Sequence, residues 1–315
     1  MTPPRMRLGG SELETFPLAL GTNTFGWTAD EPTTWAILDA YFAVGGNFLD
    51  TADSYSAWAP GNEGGESETI IGRWLKKRGN REDLVIATKV SHHPGYQGLA
   101  PATIRAAVEA SLGRLGIDVI DLYYAHYDDP DTPLEESIGT LSELVDEGKV
   151  RYLGLSNYSA ERLEEWARIT RAGGFHRPVA LQQMYSLVER GVEQTTLPIA
   201  RREEWAFLPY YALAVGFLTG KYTSGQPVDS PRAGTASAYL NDKGRRILAV
   251  MEEISESHGV KLAAVALAWV AAQPGVGAPL AGARNSEQLE ALLEYTTLTL
   301  AEDQLAALDE VSRLP

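Results

Sequence analysis

The sequence predicts an α/β protein built as a (β/α)8 barrel, and three observations lead there. Strand-like apolar runs alternate with amphipathic helical stretches along the chain, the order that a parallel sheet requires. Several of the runs, "LVIAT" and "VIDLYY" among them, are apolar on both faces, as strands buried between two layers are. Eight such units spread over 315 residues suit a closed TIM barrel. The open alternative, a doubly wound sheet, carries a G-x-G-x-x-G turn after its first strand. Here the first strand runs into "GTNTFGW", which lacks that spacing.

The elements follow in order. A hairpin, residues 5–8 with 14–17 joined around Gly9-Gly10, is expected ahead of the barrel. Strands are expected at residues 18–21, 47–50, 84–89, 119–126, 150–156, 179–184, 205–210 and 276–280. Helical stretches lie between them at 66–77, 102–115, 134–147 and 160–171. The segment 224–241, rich in Gly, Pro and Ser, interrupts the rhythm and reads as a long loop after the seventh strand. Such loops in compact domains are usually lids or disordered. Further helices at 242–258, 262–273, 285–293 and 301–312 give the barrel extra helices toward its C-terminus. No linker composition divides the chain, so one barrel domain over residues 1–315 is expected.

Composition narrows the function classes. A hydrophobic fraction of 44% with 22% charged residues is that of a globular protein with a sizeable core. No run approaches the roughly 18 consecutive apolar residues of a membrane helix, and the polar stretch 1–14 lacks the apolar centre of a signal peptide. A cytoplasmic protein with no membrane partner is therefore expected. The absence of cysteine excludes disulfides, thiolate chemistry and cysteine-bound zinc. With 27 basic against 42 acidic residues the formal net charge is −15, a field that repels nucleic-acid phosphates. No nucleic-acid partner is expected. An anionic ligand has to be gripped by a few specific cations against that field.

In a barrel the reactive groups sit at the C-terminal ends of the strands. The second strand, "NFLDTADSYS", ends on Asp50 with Tyr55 five residues on; the third, "LVIATK", ends on Lys89; the fourth, "VIDLYYAH", ends on His126. Each alone has a structural reading. A strand-end Asp often caps a helix, a Lys reaches solvent, and a His after an apolar strand is commonly a satisfied core residue. Four of them converging on one mouth point to chemistry. Trp27, Trp58, Tyr127 and Tyr158 follow strand ends and suit either an aromatic-lined substrate pocket or simple packing. His92-His93 lacks further ligands at suitable spacing, so no metal is expected.

Taken together, "GGNFLDTADSYS", "GESETIIGRWL", "VIATK", "DLYYAH", "GKVRYLGLSNYS", "LQQMYS", "PYYALAVGFLTGKY" and "LAGARNSEQLEAL" resemble the aldo-keto reductase family, in order and over nearly the whole chain. The resemblance implies the barrel, a nicotinamide cofactor and reduction of a small-molecule carbonyl. It implies Tyr55 as the general acid, Lys89 as the ammonium that eases loss of the phenolic proton, Asp50 as the partner holding Lys89, and His126 as the residue orienting the carbonyl. A tyrosine with its ordinary pKa near 10 is a poor acid at neutral pH without such help. For the cofactor it implies Ser156 and Asn157 at the nicotinamide carboxamide with Gln183 assisting, and Tyr210 stacked on the ring. It also implies Ala212, Leu213, Val215, Gly216 and Lys221 around the pyrophosphate; the loop 224–241, by its composition and its place after the seventh strand, is expected to order over that group with Arg232 as an anion contact. Gly282, Arg284 and Gln288 meet the adenosine, and Gly21, Thr22 and Asp50 are further cofactor neighbours. Arg284 points to NADPH, with NADH a weaker alternative. Two departures stand out. Tyr210-Tyr211-Ala212-Leu213 replaces the frequent Tyr-Ser-Pro-Leu, and Ala291-Leu292 replaces a frequent Glu-Asn at the adenine. The rival readings are a non-catalytic, cofactor-binding regulator like the potassium-channel beta subunits, and a two-carboxylate glycosidase.

Overall fold

The computed structural model describes residues 3–223 and 232–314. Its first elements are a two-stranded antiparallel hairpin, β1 (Met6–Arg7) and β2 (Glu14–Thr15). Barrel strands follow as β3 (Ala19–Gly21), β4 (Phe48–Asp50) and β5 (Val85–Val90). After a small hairpin, β6 (His92–His93) and β7 (Tyr96–Gln97), come β8 (Ile120–Ala125), β9 (Val150–Ser156), β10 (Pro178–Met184), β11 (Ala206–Tyr210) and β12 (Leu280–Ala281). All eight barrel strands are parallel, in the order β11-β10-β9-β8-β5-β4-β3-β12.

The last strand is shorter than its sequence suggests. Residues 276–280 were expected to form it, yet only Leu280–Ala281 pairs with β3. Gly275, Gly277 and Pro279 disfavour a regular ladder there, and Pro279 has no N–H to donate. Closure against β11 instead uses an isolated bridge, with Phe207 N donating to the Gly275 carbonyl (3.1 Å) and Gly277 N to the Phe207 carbonyl (2.8 Å).

The helices are α1 (Glu31–Ala43), α2 (Glu66–Arg78), α3 (Pro101–Leu115), α4 (Leu134–Asp146), α5 (Ala160–Gly173) and α6 (Thr196–Arg202), followed by α7 (Ala233–Ser237), α8 (Asp242–His258), α9 (Leu262–Ala271), α10 (Ser286–Leu293) and α11 (Glu302–Ser312). Local chemistry sets their ends. Asp30 and Asn241 cap α1 and α8 with their side-chain oxygens, and glycines in the left-handed region close α2, α3, α5 and α8. α9, "LAAVALAWVA", is apolar all round and buried along its length. Part of the segment read as a long loop, 224–241, forms α7; residues 224–231 of it lie outside the described residues. No described helix is long and apolar enough to cross a membrane.

Two apolar layers hold the barrel. One lies between strands and helices; the other fills the interior with Phe48, Val85, Ala87, Leu122, Tyr124 and Leu208, plugged from the hairpin by Leu8 and Leu13. Each large interior side chain contributes about 1.5–3 kcal/mol through burial. Alternate residues of a strand share a face, so the interior set fixes what stands one step higher. From Ala19, Phe48, Ala87, Tyr124, Ala180, Leu208 and Leu280 the same parity reaches Gly21, Asp50, Lys89, His126, Gln182, Tyr210 and Gly282. These residues form the ring at the C-terminal mouth, joined by Ser156 from β9.

Candidate active site

Lys89 is the anchor of the ring. Its side chain is fully buried, yet all three N–H bonds are used: to Asp50 Oδ1 at 2.6 Å, to the Thr51 carbonyl oxygen at 2.7 Å and to Tyr55 Oη at 3.0 Å. Burial pulls the Lys89 pKa down and Asp50 opposes this; with every donor satisfied, we assign the charged ammonium. Asp50 is equally enclosed. Its Oδ2 accepts from Gln182 Nε2 at 2.7 Å. Gln182 was not singled out in the sequence, although the β10 parity points to it.

Tyr55 lines the cavity with its hydroxyl accepting from Lys89. Its own proton has only a long contact to Asp50 Oδ1, at 3.4 Å. Burial, and then the Asp50 carboxylate, push its pKa well above 10. The resting residue is therefore a phenol, and the depression expected from Lys89 alone is outweighed in the free protein. His126 is buried beside it, ring centroids 6.2 Å apart. Burial first, then the Lys89 charge, hold His126 well below its usual range, so its imidazole is neutral.

From this end a cavity of about 770 Å³ runs along the mouth to α10. Ser156, Asn157 and Tyr210 line its first part. Asn157 donates from Nδ2 to Ser156 Oγ and to the His126 carbonyl oxygen, both at 3.0 Å, and accepts from Tyr210 Oη at 2.6 Å. Beyond them Ala212, Leu213, Val215, Gly216 and Lys221 line the wall. The backbone there is unusual: Tyr211, Ala214, Val215 and Gly216 have φ of 55°, 48°, 52° and 93°. A run of non-glycine residues in that region carries strain. Left-handed turns of this kind also aim backbone N–H groups into anion-binding concavities. Lys221 and Arg232 stand on the same wall; Arg232 donates to Asn23 Oδ1 (3.2 Å) and lies 5.7 Å from the Trp27 ring centre. These features fit a bound pyrophosphate.

At the far end Gly282, Arg284 and Gln288 line the cavity with Ala291, Leu292, Glu287, Glu290, Glu294 and Lys261. The Gln288 side chain accepts from Arg284 N at 3.0 Å, so it is engaged in the turn before α10. Arg284 is the arginine that lines this end of the cavity.

A model of the Aldo/keto reductase family matches residues 17–313. The chain belongs to the aldo/keto reductase family. It is 33% identical to Protein tas of Escherichia coli over 98% of this chain and 97% of that protein. It is 32% identical to Aldo-keto reductase YhdN of Bacillus subtilis, over 93% and 88%. Norsolorinic acid reductase stcV of Emericella nidulans is 32% identical over 93% and 77%.

In this aldo/keto reductase Lys89 is buried beneath the cavity wall, and Gln183 and Thr22, carried over by resemblance, and Tyr158, read from its place after a strand end, also stand off the cavity. Gln183 faces outward with Leu181, and its amide donates to the Tyr158 carbonyl oxygen at 2.8 Å. A one-residue slip in a strand exchanges faces, so Gln182, not Gln183, is the cavity glutamine. Tyr158 is buried edge-on against Trp166, ring centres 5.5 Å apart, and is a core residue. Thr22 is buried behind the wall, donating to the Asp50 carbonyl oxygen (2.9 Å) and accepting from Ser67 Oγ (2.8 Å). Trp27, Trp58 and Tyr127 do line the cavity, as do His92, which the sequence offered only as a metal ligand, Tyr211, named only as a departure from the family pattern, and Asn23, which the sequence did not single out.

Proposed function

We propose that the protein is an NADPH-dependent reductase that converts an aldehyde or ketone to the alcohol, with Tyr55 as general acid. The observation that carries this reading is the Tyr55 hydroxyl on the cavity wall, held by the buried Lys89–Asp50 pair and facing a neutral His126.

A bound nicotinamide supplies the hydride that reaches the carbonyl carbon. Ser156 and Asn157 hold its carboxamide and Tyr210 packs on the ring; Ala212–Gly216, Lys221 and Arg232 grip the pyrophosphate; Gly282, Arg284 and Gln288 meet the adenosine. Tyr55 gives its proton to the carbonyl oxygen. As its oxygen gains negative charge, the Lys89 N–H already aimed at it strengthens, which is stabilisation that grows only along the reaction. Asp50 and the Thr51 carbonyl keep that ammonium charged and fixed. His126, neutral, contributes a hydrogen bond to the carbonyl oxygen and no competing charge. The raised Tyr55 pKa fits an acid that must keep its proton until substrate is in place. Arg284 favours NADPH, while Glu287, Glu290 and Glu294 along the same end limit the preference and leave NADH a weaker alternative.

A glycosidase would need two carboxylates across the substrate. Among the described lining residues at this end Asp50 is the one carboxylate, and it is committed to Lys89 and Gln182. Loss of NADPH absorbance with a panel of aldehydes, ketones and sugars, beside nucleotide titration, tests the reading. Binding without turnover of any carbonyl would favour the regulator instead.

A further inference from the structure

One tyrosine inside the barrel has no part in the reaction described above. Tyr124 of β8 is fully buried, and its neighbours across the sheet are Lys89 on β5 and Gly154 on β9. The next place in that row is Ala180 on β10. Gly154 and Ala180 leave room for a large ring on the inward face. A Cβ on Gly154 would stand 2.5 Å from the Tyr124 ring. The Gly154 backbone is not in the left-handed region, so contact with the ring, and no conformational need, calls for glycine there.

This seat brings an aromatic face to the Lys89 ammonium. Lys89 Nζ lies over two rings, 4.7 Å from the centre of Tyr55 and 5.7 Å from the centre of Tyr124. A cation within about 6 Å of a ring face is attracted by the ring quadrupole, most strongly where water is excluded. Lys89 is fully buried and its three N–H bonds are already used, so a ring face is the kind of support left to add. Burial works against its charge, while Asp50, Asp53 and Glu68 favour it; His126 beside it is neutral. The two rings differ in one respect. Tyr55 changes charge at its oxygen along the proposed reaction, whereas Tyr124 keeps its proton, its pKa held well above 10 by burial and then by Asp50. No hydrogen bond joins the Tyr124 hydroxyl to Lys89 or Asp50, so the ring is the part that acts.

We propose that Tyr124 is a positioning residue of the reductase site: its ring, seated over Gly154, helps to hold Lys89 as a charged ammonium against Tyr55. This rests on the reductase reading above. Reduction needs Lys89 charged, so activity is lost as pH rises through the pKa of the coupled Lys89–Tyr55 pair. Taking away the ring lowers the pH at which Lys89 loses its proton, by about 0.4–1.5 units, and moves the alkaline limb of kcat toward neutrality.

The test follows the carbon-13 resonance of Lys89 Cε from about pH 6 to 10, assigned by its loss in Lys89→Met. It compares wild type, Tyr124→Phe, Tyr124→Met and the chain carrying 3,4,5-trifluorophenylalanine at position 124. The fluorinated ring keeps the shape of phenylalanine and loses the negative face, so the test stands even where Tyr124→Met does not fold. The kcat and KM for NADPH-dependent reduction of an aromatic aldehyde are measured beside it. Lys89 should titrate within about 0.3 unit of wild type in Tyr124→Phe and about 0.4–1.5 units lower in the other two. The alkaline limb of kcat should follow, with KM within about twofold. A packing role alone would leave the Lys89 titration in place and would not separate the fluorinated ring from phenylalanine; that result would overturn the proposal and leave the reductase reading standing. A Lys89 titration that moves as expected in a protein that reduces no carbonyl would support the role of the ring and overturn the reductase reading.

Discussion

Removing the Lys89 ammonium should cost more stability than its bonds alone suggest, because it strands a charge. Lys89→Met keeps the length of the stem but deletes hydrogen bonds of 2.6, 2.7 and 3.0 Å to Asp50, the Thr51 carbonyl and Tyr55. The Asp50 carboxylate, itself buried, is then left with the Gln182 amide and a long contact to Tyr55. Breaking a buried pair from one side costs about 3–5 kcal/mol, much of it from the uncompensated charge. In an Asp50→Asn background the same change strands no carboxylate. What remains is the unsatisfied Thr51 carbonyl and a weakened Tyr55 contact, about 1–3 kcal/mol. The double variant should therefore be about 2 kcal/mol more stable than the sum of the single losses implies. Urea unfolding of all four proteins at pH 7, followed by tryptophan fluorescence, gives the coupling directly. Additive losses, within about 0.5 kcal/mol, would mean that Lys89 and Asp50 do not act as the buried unit described here.

Arg284→Ala should weaken NADPH binding by about ten- to a hundredfold, since a hydrogen-bonded charge contributes roughly 1.5–3 kcal/mol, and should change NADH binding little; equal losses for both nucleotides would place phosphate recognition elsewhere. His126→Gln tests the neutral imidazole through pH. The folded His126 pKa lies well below 6.5, so the unfolded chain binds the proton that the folded chain refuses, and stability falls as pH drops below about 6.5. Between pH 6.5 and 5 the wild type should lose up to about 1.4 kcal/mol per pH unit more than His126→Gln, and parallel stability curves would show that His126 protonates freely in the fold.

How much of this was legible in the sequence depends on period. The first seven strands could be read because runs such as "VIATK" and "DLYYA" are apolar on both faces, and their terminal polar residues continue the inward parity of Ala87 and Tyr124. The same rule, applied to "VALQQM", points to Gln182: Ala180 packs inside the barrel and Leu181 outside. Resemblance alone chose Gln183 and slipped by one residue. The eighth strand resisted because Gly275, Gly277 and Pro279 leave only two residues of ladder, and the closing bonds run through backbone that carries no side-chain signal. Tyr158 resembled a mouth aromatic by position, but its contact with Trp166 on α5 is set by tertiary packing. His92 was weighed as a metal ligand; its place in the cavity wall depends on the β6–β7 hairpin, which brings it to Tyr127. The resting state of Tyr55 was also out of reach, since burial and the distance to Asp50, not residue identity, decide it.

The reductase reading rests on one proton, and Tyr55→Phe removes it with the smallest change of shape. The phenol acts on the substrate oxygen, whereas the residues proposed to hold the cofactor lie on β9, β11, the wall beyond it and the turn before α10. General acid catalysis contributes about a hundred- to ten-thousandfold. Single-turnover reduction of an aromatic aldehyde, measured beside NADPH affinity by fluorescence, should show a rate lower by at least about a hundredfold with the nucleotide Kd within about twofold of wild type. Near-normal turnover in Tyr55→Phe, with binding intact, would contradict the assignment of Tyr55 as the acid.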